Sequence, residues 1–225
     1  DLPPSGVVRV RLDVGRRSGT GALPNVSRQR LHHASACGEP PDMADRIVNA
    51  MTVDVEDYFQ VSAFEGHISR DSWDRTPRRI EGTMDRVLEL FDAAGISATF
   101  FTLGWIAERH PDMVRRIVAG GHELASHGWD HTRVTDLTPQ DFRDDIRRSK
   151  AVLEDLGGAP VLGYRAPSYS INGSNLWAHE VLADEGYRYS SSIAPLKHDL
   201  YGMPEAPRFS FPAADGRLTE IPVTT

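Results

Sequence analysis

The chain has 225 residues, long for an average domain but within the span that α/β barrels occupy as a single unit. With 40% hydrophobic and 25% charged residues, 19 Gly and 15 Pro, it has the make-up of an ordinary globular protein, which excludes collagen-like, wholly disordered and coiled-coil chains. The formal charge is −7; residues 1–42 hold six arginines against four carboxylates, so the remainder carries −9, and an acidic body argues against a nucleic-acid partner, which needs a basic face.

From Asp1 to Asp42 the chain is rich in Pro, Gly, Ser and Arg and lacks apolar periodicity beyond Val7–Val14, which predicts a flexible or non-native leader. From Met43 the composition changes, and short apolar runs alternate with amphipathic stretches, the pattern of repeated βα units. Ile47–Val53 reads as the first strand. Glu81–Ala94 follows as a helix with Val87, Leu90, Phe91 and Ala94 on one face and Gly95 as its stop. Ala98–Thr102 is a second strand. Pro111–Ala119 starts with proline at the first helical position and ends in Gly120-Gly121, before a third strand at Glu123–Ser126. Thr138 caps the longest helix, whose stripe is Phe142, Ile146, Val152, Leu153 and Leu156, and Gly157-Gly158 closes it. Val161–Tyr164, the helix Leu176–Glu185, Tyr187–Ser190 and Thr219–Val223 complete the series. Nothing follows the last strand, so a catalytic domain over residues 43–225 is expected to be incomplete at its C-terminal end. No run nears the ~18 uncharged apolar residues of a membrane span, and no secretory signal is visible, so the expected compartment is the cytoplasm. Cys37 is the only cysteine and cannot form an internal disulfide.

In βα folds chemistry gathers just after the strands, where the strand fixes position and the loop supplies side chains. Strand one runs into Asp54-Val55-Glu56-Asp57, three carboxylates that repel one another unless a cation or shared proton compensates. Alone, such a cluster also fits a solvated loop. Strand three runs into His127-Gly128-Trp129-Asp130-His131, and an i, i+4 histidine pair on one side of a helical turn has the spacing metal pairs use. Gly128 stands where the glutamate of an H-E-x-x-H protease would be, so the base must come from elsewhere, and the acidic loop can offer it. Two imidazoles and one carboxylate would leave coordination positions open, as hydrolytic zinc sites do. Strand four runs into Arg165-Ala166-Pro167-Ser168-Tyr169. An arginine there needs a carboxylate partner, and a strand-one aspartate is the natural one. Pro167 leaves the N–H of Ser168 free to point at a ligand.

Together, Asp54-Val55-Glu56-Asp57, His127-x-x-x-His131 and Arg165-Ala166-Pro167 resemble the first three motifs of the polysaccharide deacetylases, the NodB-homology domain of carbohydrate esterase family 4. The resemblance spans roughly Ile47 to Val223. More narrowly, Val53–Val61 and Tyr189-Ser190-Ser191-Ser192-Ile193 look like the branch found in bacterial exopolysaccharide loci, beside the sorting system for proteins with a Pro-Glu-Pro C-terminal signal. The resemblance implies a distorted (β/α)7 barrel that removes N-acetyl groups from amino sugars of a polysaccharide with zinc or another divalent ion. It assigns Asp54 as general base, His127 and His131 as metal ligands, Arg165 as tether of the base, and Ser168 N–H as oxyanion donor. Most members carry adjacent aspartates; here Val55 follows Asp54, so the carboxylate ligand is Glu56, with Asp57 the alternative. Alternation along an extended strand end favours Glu56. Two departures stand out: Ser190 follows Tyr189 where the family has an aspartate, and the motif supplying a catalytic acid histidine has no counterpart before Thr225.

Trp129 and Tyr169 are candidate sugar-stacking residues, as is Trp105; each also fits core packing. The other histidines lack spaced partners and read as structural or exposed. Two competing readings remain: a cyclic-amide or imide hydrolase of the same fold, resembling allantoinases, for which a closed small pocket is expected, and a degenerate carbohydrate-binding module that keeps the barrel without the chemistry.

Overall fold

The computed structural model describes residues 50–198 and 201–223. The expected leader, residues 1–42, and the first residues of the expected strand at Ile47 lie outside them.

Strand β1 (Thr52–Val55) is followed by two 3₁₀ turns and helix α1 (Ile80–Ala94), then β2 (Thr99–Thr102), α2 (Gly104–Arg109), α3 (Pro111–Ala119) and β3 (Glu123–Ser126). The second half runs α4 (Pro139–Gly157), β4 (Gly163–Tyr164), α5 (Trp177–Asp184), β5 (Tyr189–Ser190), β6 (Phe211–Ala213) and β7 (Leu218–Glu220). The seven strands among the described residues form one sheet in the order β1-β2-β3-β4-β5-β7-β6. Every neighbouring pair is parallel except β6 with β7. This is the expected α/β architecture, curled but not closed: among the described residues, β1 and β6 are the two edges. The curl follows from contacts between strands three places apart. On a flat sheet β2 and β5 would lie about 14 Å apart, yet the rings of Phe101 and Tyr189 have centroids 6.4 Å apart.

The local chemistry accounts for the element ends. Thr138 Oγ1 accepts the Asp141 N–H at 3.2 Å, and Gly158 closes α4 with φ +64°, a conformation open to glycine without a Cβ clash. The α4 stripe buries Phe142, Ile146 and Leu153 as expected, but Ser149 is buried in it too. On α1 the face differs from the expected one: Ile80, Met84 and Phe91 are buried while Leu90 is 64% exposed. The stripe therefore begins one turn earlier and passes Val87, not Leu90. Two elements escaped the sequence reading, the short α2 and the edge strand β6. Helices α3 and α4 pack on β3 and on each other. One apolar cluster gathers around Phe142, Tyr164 and Tyr187, the other around Phe59, Trp73 and Trp105. No described helix is long and apolar enough to cross a membrane.

Candidate metal centre and catalytic groups

The curl brings the ends of β1, β3, β4 and β5 together. Arg165, just past β4, reaches across to β1: one guanidinium nitrogen donates to Asp54 Oδ1 at 2.8 Å and to Thr52 Oγ1 at 3.0 Å. Its Nε donates to Ser191 O and its other terminal nitrogen to Ser191 Oγ, both at 3.0 Å, and the plane lies 4.1 Å from the Phe101 ring centroid. The arginine side chain is 5% exposed. A charge so buried is tolerable because all three of its nitrogens have oxygen partners.

The histidines sit as ligands would. His127 Nδ1 donates to the Arg165 carbonyl at 2.8 Å, which leaves the Nε2 lone pair free, the tautomer that a supporting carbonyl imposes on metal-binding histidines. Burial pushes the His127 pKa down against the pull of Asp54 and Glu56, keeping the ring neutral as coordination requires. His131 Nε2 stands 2.9 Å from Glu56 Oε2, and that carboxylate oxygen is buried without a hydrogen-bond partner. Glu56, His127 and His131 each offer an atom within 4.8 Å of the others. A tetrahedral ion with bonds of ~2.0–2.1 Å separates its ligands by roughly 3.3 Å, so an orphaned carboxylate against two imidazoles fits a divalent cation.

Asp57, the alternative ligand, is engaged elsewhere. Its Oδ2 accepts the N–H groups of Arg79 and Ile80 at 2.8 and 3.2 Å, so it caps α1 from 22 residues away, and Glu56 alone serves the cluster.

The expected helical turn between the histidines is not formed. The segment is an irregular loop in which Gly128 has φ +79° and His131 φ +64°. Its backbone is held from behind: Gly104 N–H and Ser149 Oγ both donate to Gly128 O at 2.9 Å, and Trp105 N–H donates to Trp129 O at 2.8 Å. The Trp129 N–H points to both Asp145 oxygens, at 3.1 and 3.2 Å. Trp129 therefore does not present a stacking face; it is 8% exposed, under Arg148 in the second apolar cluster. Trp105 is buried alike. Tyr169 is half-buried beside Tyr201, with ring centroids 5.5 Å apart, and stays at the site's edge. Ser168 has φ +53° and Tyr169 φ +50°, and the turn's own bonds use the N–H groups of Tyr169 and Ser170 rather than that of Ser168. With His131, three non-glycine residues at the site hold left-handed backbone, each at a cost of about 1–3 kcal/mol that surrounding contacts must offset.

Asp145, which the sequence reading did not single out, is pushed up to about 7, first by burial and then by Asp130. A carboxyl that keeps its proton longer in the folded chain than in the unfolded one loses stability as pH rises from the unfolded value, near 4, to the folded one. Asp145→Asn removes that loss. Its melting temperature relative to the parent should rise between pH 4 and 8; a difference constant with pH would refute the linkage.

Glu220 was also missed. Fully buried at the end of β7, it accepts Ser192 N–H at 2.8 Å and Ile193 N–H at 2.9 Å on Oε1, and Oε2 lies 3.1 Å from His179 Nε2. Burial alone would raise its pKa, but the bonds from His179, Ser190 and Ile193 outweigh it and hold it low. Glu220 so fixes the strand that carries Ser191, the partner of Arg165, and Ser192, whose Oγ accepts Ala166 N–H at 2.9 Å. Glu220→Leu strands two buried N–H groups and should cost about 3 kcal/mol in chemical denaturation, with Glu220→Gln recovering part of it. Equal losses for both would remove the carboxylate from this role.

Residues 71–190 match the family model described as polysaccharide deacetylase, a stretch that includes both histidines and Arg165 but not Asp54 or Glu56. Among curated proteins the chain is 30% identical over 152 residues to a peptidoglycan deacetylase of Helicobacter pylori, covering 67% of this chain and 51% of that protein. It is 33% identical over 98 residues to a chitooligosaccharide deacetylase of a Bradyrhizobium species, covering 43% and 42%. A solved Mycobacterium smegmatis structure described as a polysaccharide deacetylase superposes with TM-score 0.60 at 27% identity, over 78% of this chain and 58% of that one. The chain thus spans about half the length of these relatives.

Proposed function

The chain belongs to the polysaccharide deacetylase family, and on that premise we propose that it hydrolyses the N-acetyl amide of amino sugars in a polysaccharide, in exopolysaccharide biosynthesis. Glu56, His127 and His131 would hold the divalent ion, with zinc suited to this donor set. When bound, such an ion lowers the pKa of water and polarises the acetyl carbonyl. Asp54 accepts the proton of the attacking water and keeps it available to the departing amine as the C–N bond breaks to release acetate. Arg165 fixes the carboxylate through Oδ1 at 2.8 Å and leaves the other oxygen to act as the base. Ser168 N–H donates to the oxyanion.

The observation that carries this reading is the convergence, from three separate strand ends, of an arginine-tethered aspartate and an orphaned carboxylate against two imidazoles. The exopolysaccharide setting rests on the narrower resemblance around Val53–Val61. Against the imide hydrolase, which expects a small closed pocket, stands a cleft of about 560 Å³ beside His131. Against the binding module stands the intact ligand set. The test is metal content and acetate release from N-acetylglucosamine oligomers by the full chain. About one divalent ion per chain with acetate produced supports the reading; a folded protein with neither overturns it.

A further inference from the structure

No helical turn links His127 to His131, yet their rings are held with centroids 5.4 Å apart. Each backbone N–H and carbonyl of Gly128 and Trp129 has a partner outside the loop. Ser126 Oγ accepts Gly128 N–H at 3.2 Å, Gly104 N–H and Ser149 Oγ donate to Gly128 O, Asp145 accepts Trp129 N–H, and Trp105 N–H donates to Trp129 O. From the stretch between β1 and α1, Arg70 donates to Asp130 O at 2.9 Å.

One face of α4 supplies three of these holds. Asp145, Arg148 and Ser149 stand at i, i+3 and i+4, the spacing that puts side chains on one side of a helix: Asp145 takes the Trp129 N–H, the Arg148 guanidinium lies 3.3 Å from the Trp129 ring centroid, and Ser149 reaches Gly128 O. The loop is cut to admit them. Gly128 has φ +79°, and a Cβ there would stand 3.0 Å from Asp145 Oδ2, so glycine both permits the backbone and leaves room for the carboxylate. A Cβ on Gly104 would stand 2.5 Å from the Trp129 ring, so the indole packs tightly against the start of α2. A partly buried carboxyl beside the like charge of Asp130 is costly to keep; here both its oxygens lie within bonding distance of one loop N–H.

Resting on the proposed metal centre of Glu56, His127 and His131, we propose that Asp145 is a positioning residue for the ion: through Trp129 N–H, and with Ser149 on Gly128 O, it fixes the bend that sets His131 against His127 and Glu56 before any ion arrives. Ligands already in place add no ordering cost to binding. A loop released from α4 loses that advantage, and the loss appears in ion affinity rather than in overall stability.

The test uses the full chain, with Zn²⁺ and Co²⁺ as the probes in competition titrations. Asp145→Ala removes the acceptor and should weaken ion binding by about 10–100-fold, the range for a lost supporting partner. Asp145→Asn keeps an oxygen for the Trp129 N–H and should stay within about threefold of the parent, while Ser149→Ala should lose about threefold to tenfold, the scale of one hydrogen bond. Leu153→Ala lies one turn further along α4, in the apolar core. It should lower the melting temperature and leave the affinity of the folded chain unchanged. The visible bands of bound Co²⁺ follow coordination geometry and should shift in Asp145→Ala and Ser149→Ala but not in Leu153→Ala. Should Asp145→Ala fail to fold, Ser149→Ala against Leu153→Ala decides the matter. Parental affinity in both loop variants, or a loss that Leu153→Ala shares in full, overturns the clamp and leaves the deacetylase reading intact. Weaker ion binding in both, with no acetate released by the metal-loaded parent, keeps the clamp and sinks the catalytic reading. A folded parent that binds no ion ends both.

Discussion

Replacing His127 with alanine should lower the affinity for the divalent ion by at least about 100-fold, since even the loss of a supporting partner costs 10–100-fold, and acetate release should fall to background with it. The ring is a neutral donor whose proton sits on Nδ1, held by the Arg165 carbonyl at 2.8 Å. Removing it leaves Glu56 and His131 as two ligands, too few for a stable hydrolytic site. His131→Ala should behave alike, because its Nε2 is the atom next to Glu56 Oε2. Metal competition assays measure the affinity. Variants that retain the ion at parental affinity would remove both histidines from the site.

Asp54→Asn should have the opposite signature. The aspartate lies outside the three-residue cluster, so the ion stays bound while kcat falls by ~10²–10⁴, the range expected when a general base is lost. The substitution is nearly isosteric, and its amide oxygen can still accept from Arg165, so the fold is not at stake. Loss of metal together with activity would make Asp54 a ligand instead. Activity within tenfold of the parent would pass the base to another residue.

Much of this site is legible in the sequence, and the misses have local causes. The limits of α3 and β3 coincide with the reading because Pro111 and Gly120-Gly121 punctuate the chain there. The pairing of Arg165 with a strand-one aspartate follows from the cost of an unpaired buried guanidinium, and Asp54 fills that role. The geometry of the histidine loop was misread because spacing alone cannot separate a helical turn from a loop pinned by Gly104, Ser149 and Asp145, which lie as far as 16–24 residues away in sequence. Asp57 looked like a ligand because its task, capping a helix 22 residues later, leaves no local trace. Ser149 was invisible for a different reason: a lone serine inside an apolar stripe breaks the pattern without announcing why. Strand β6 holds only three residues, with Pro212 in the middle, and proline is tolerated at a sheet edge but erases the strand signal.

The bond from Arg165 to Asp54 closes a loop of 111 residues. Contacts so distant along the chain form only after much of the entropy of ordering the intervening segments has been spent. The acidic loop, the histidine loop and the arginine cannot be carried by separable fragments, and a chain cut between β1 and β4 could recover the pair only by reassociation. Under the proposed function, acetate release would therefore read out the last stage of folding, and the deepest protected amides in exchange experiments are expected in β2 and β3, the strands that lie between the two halves of the pair.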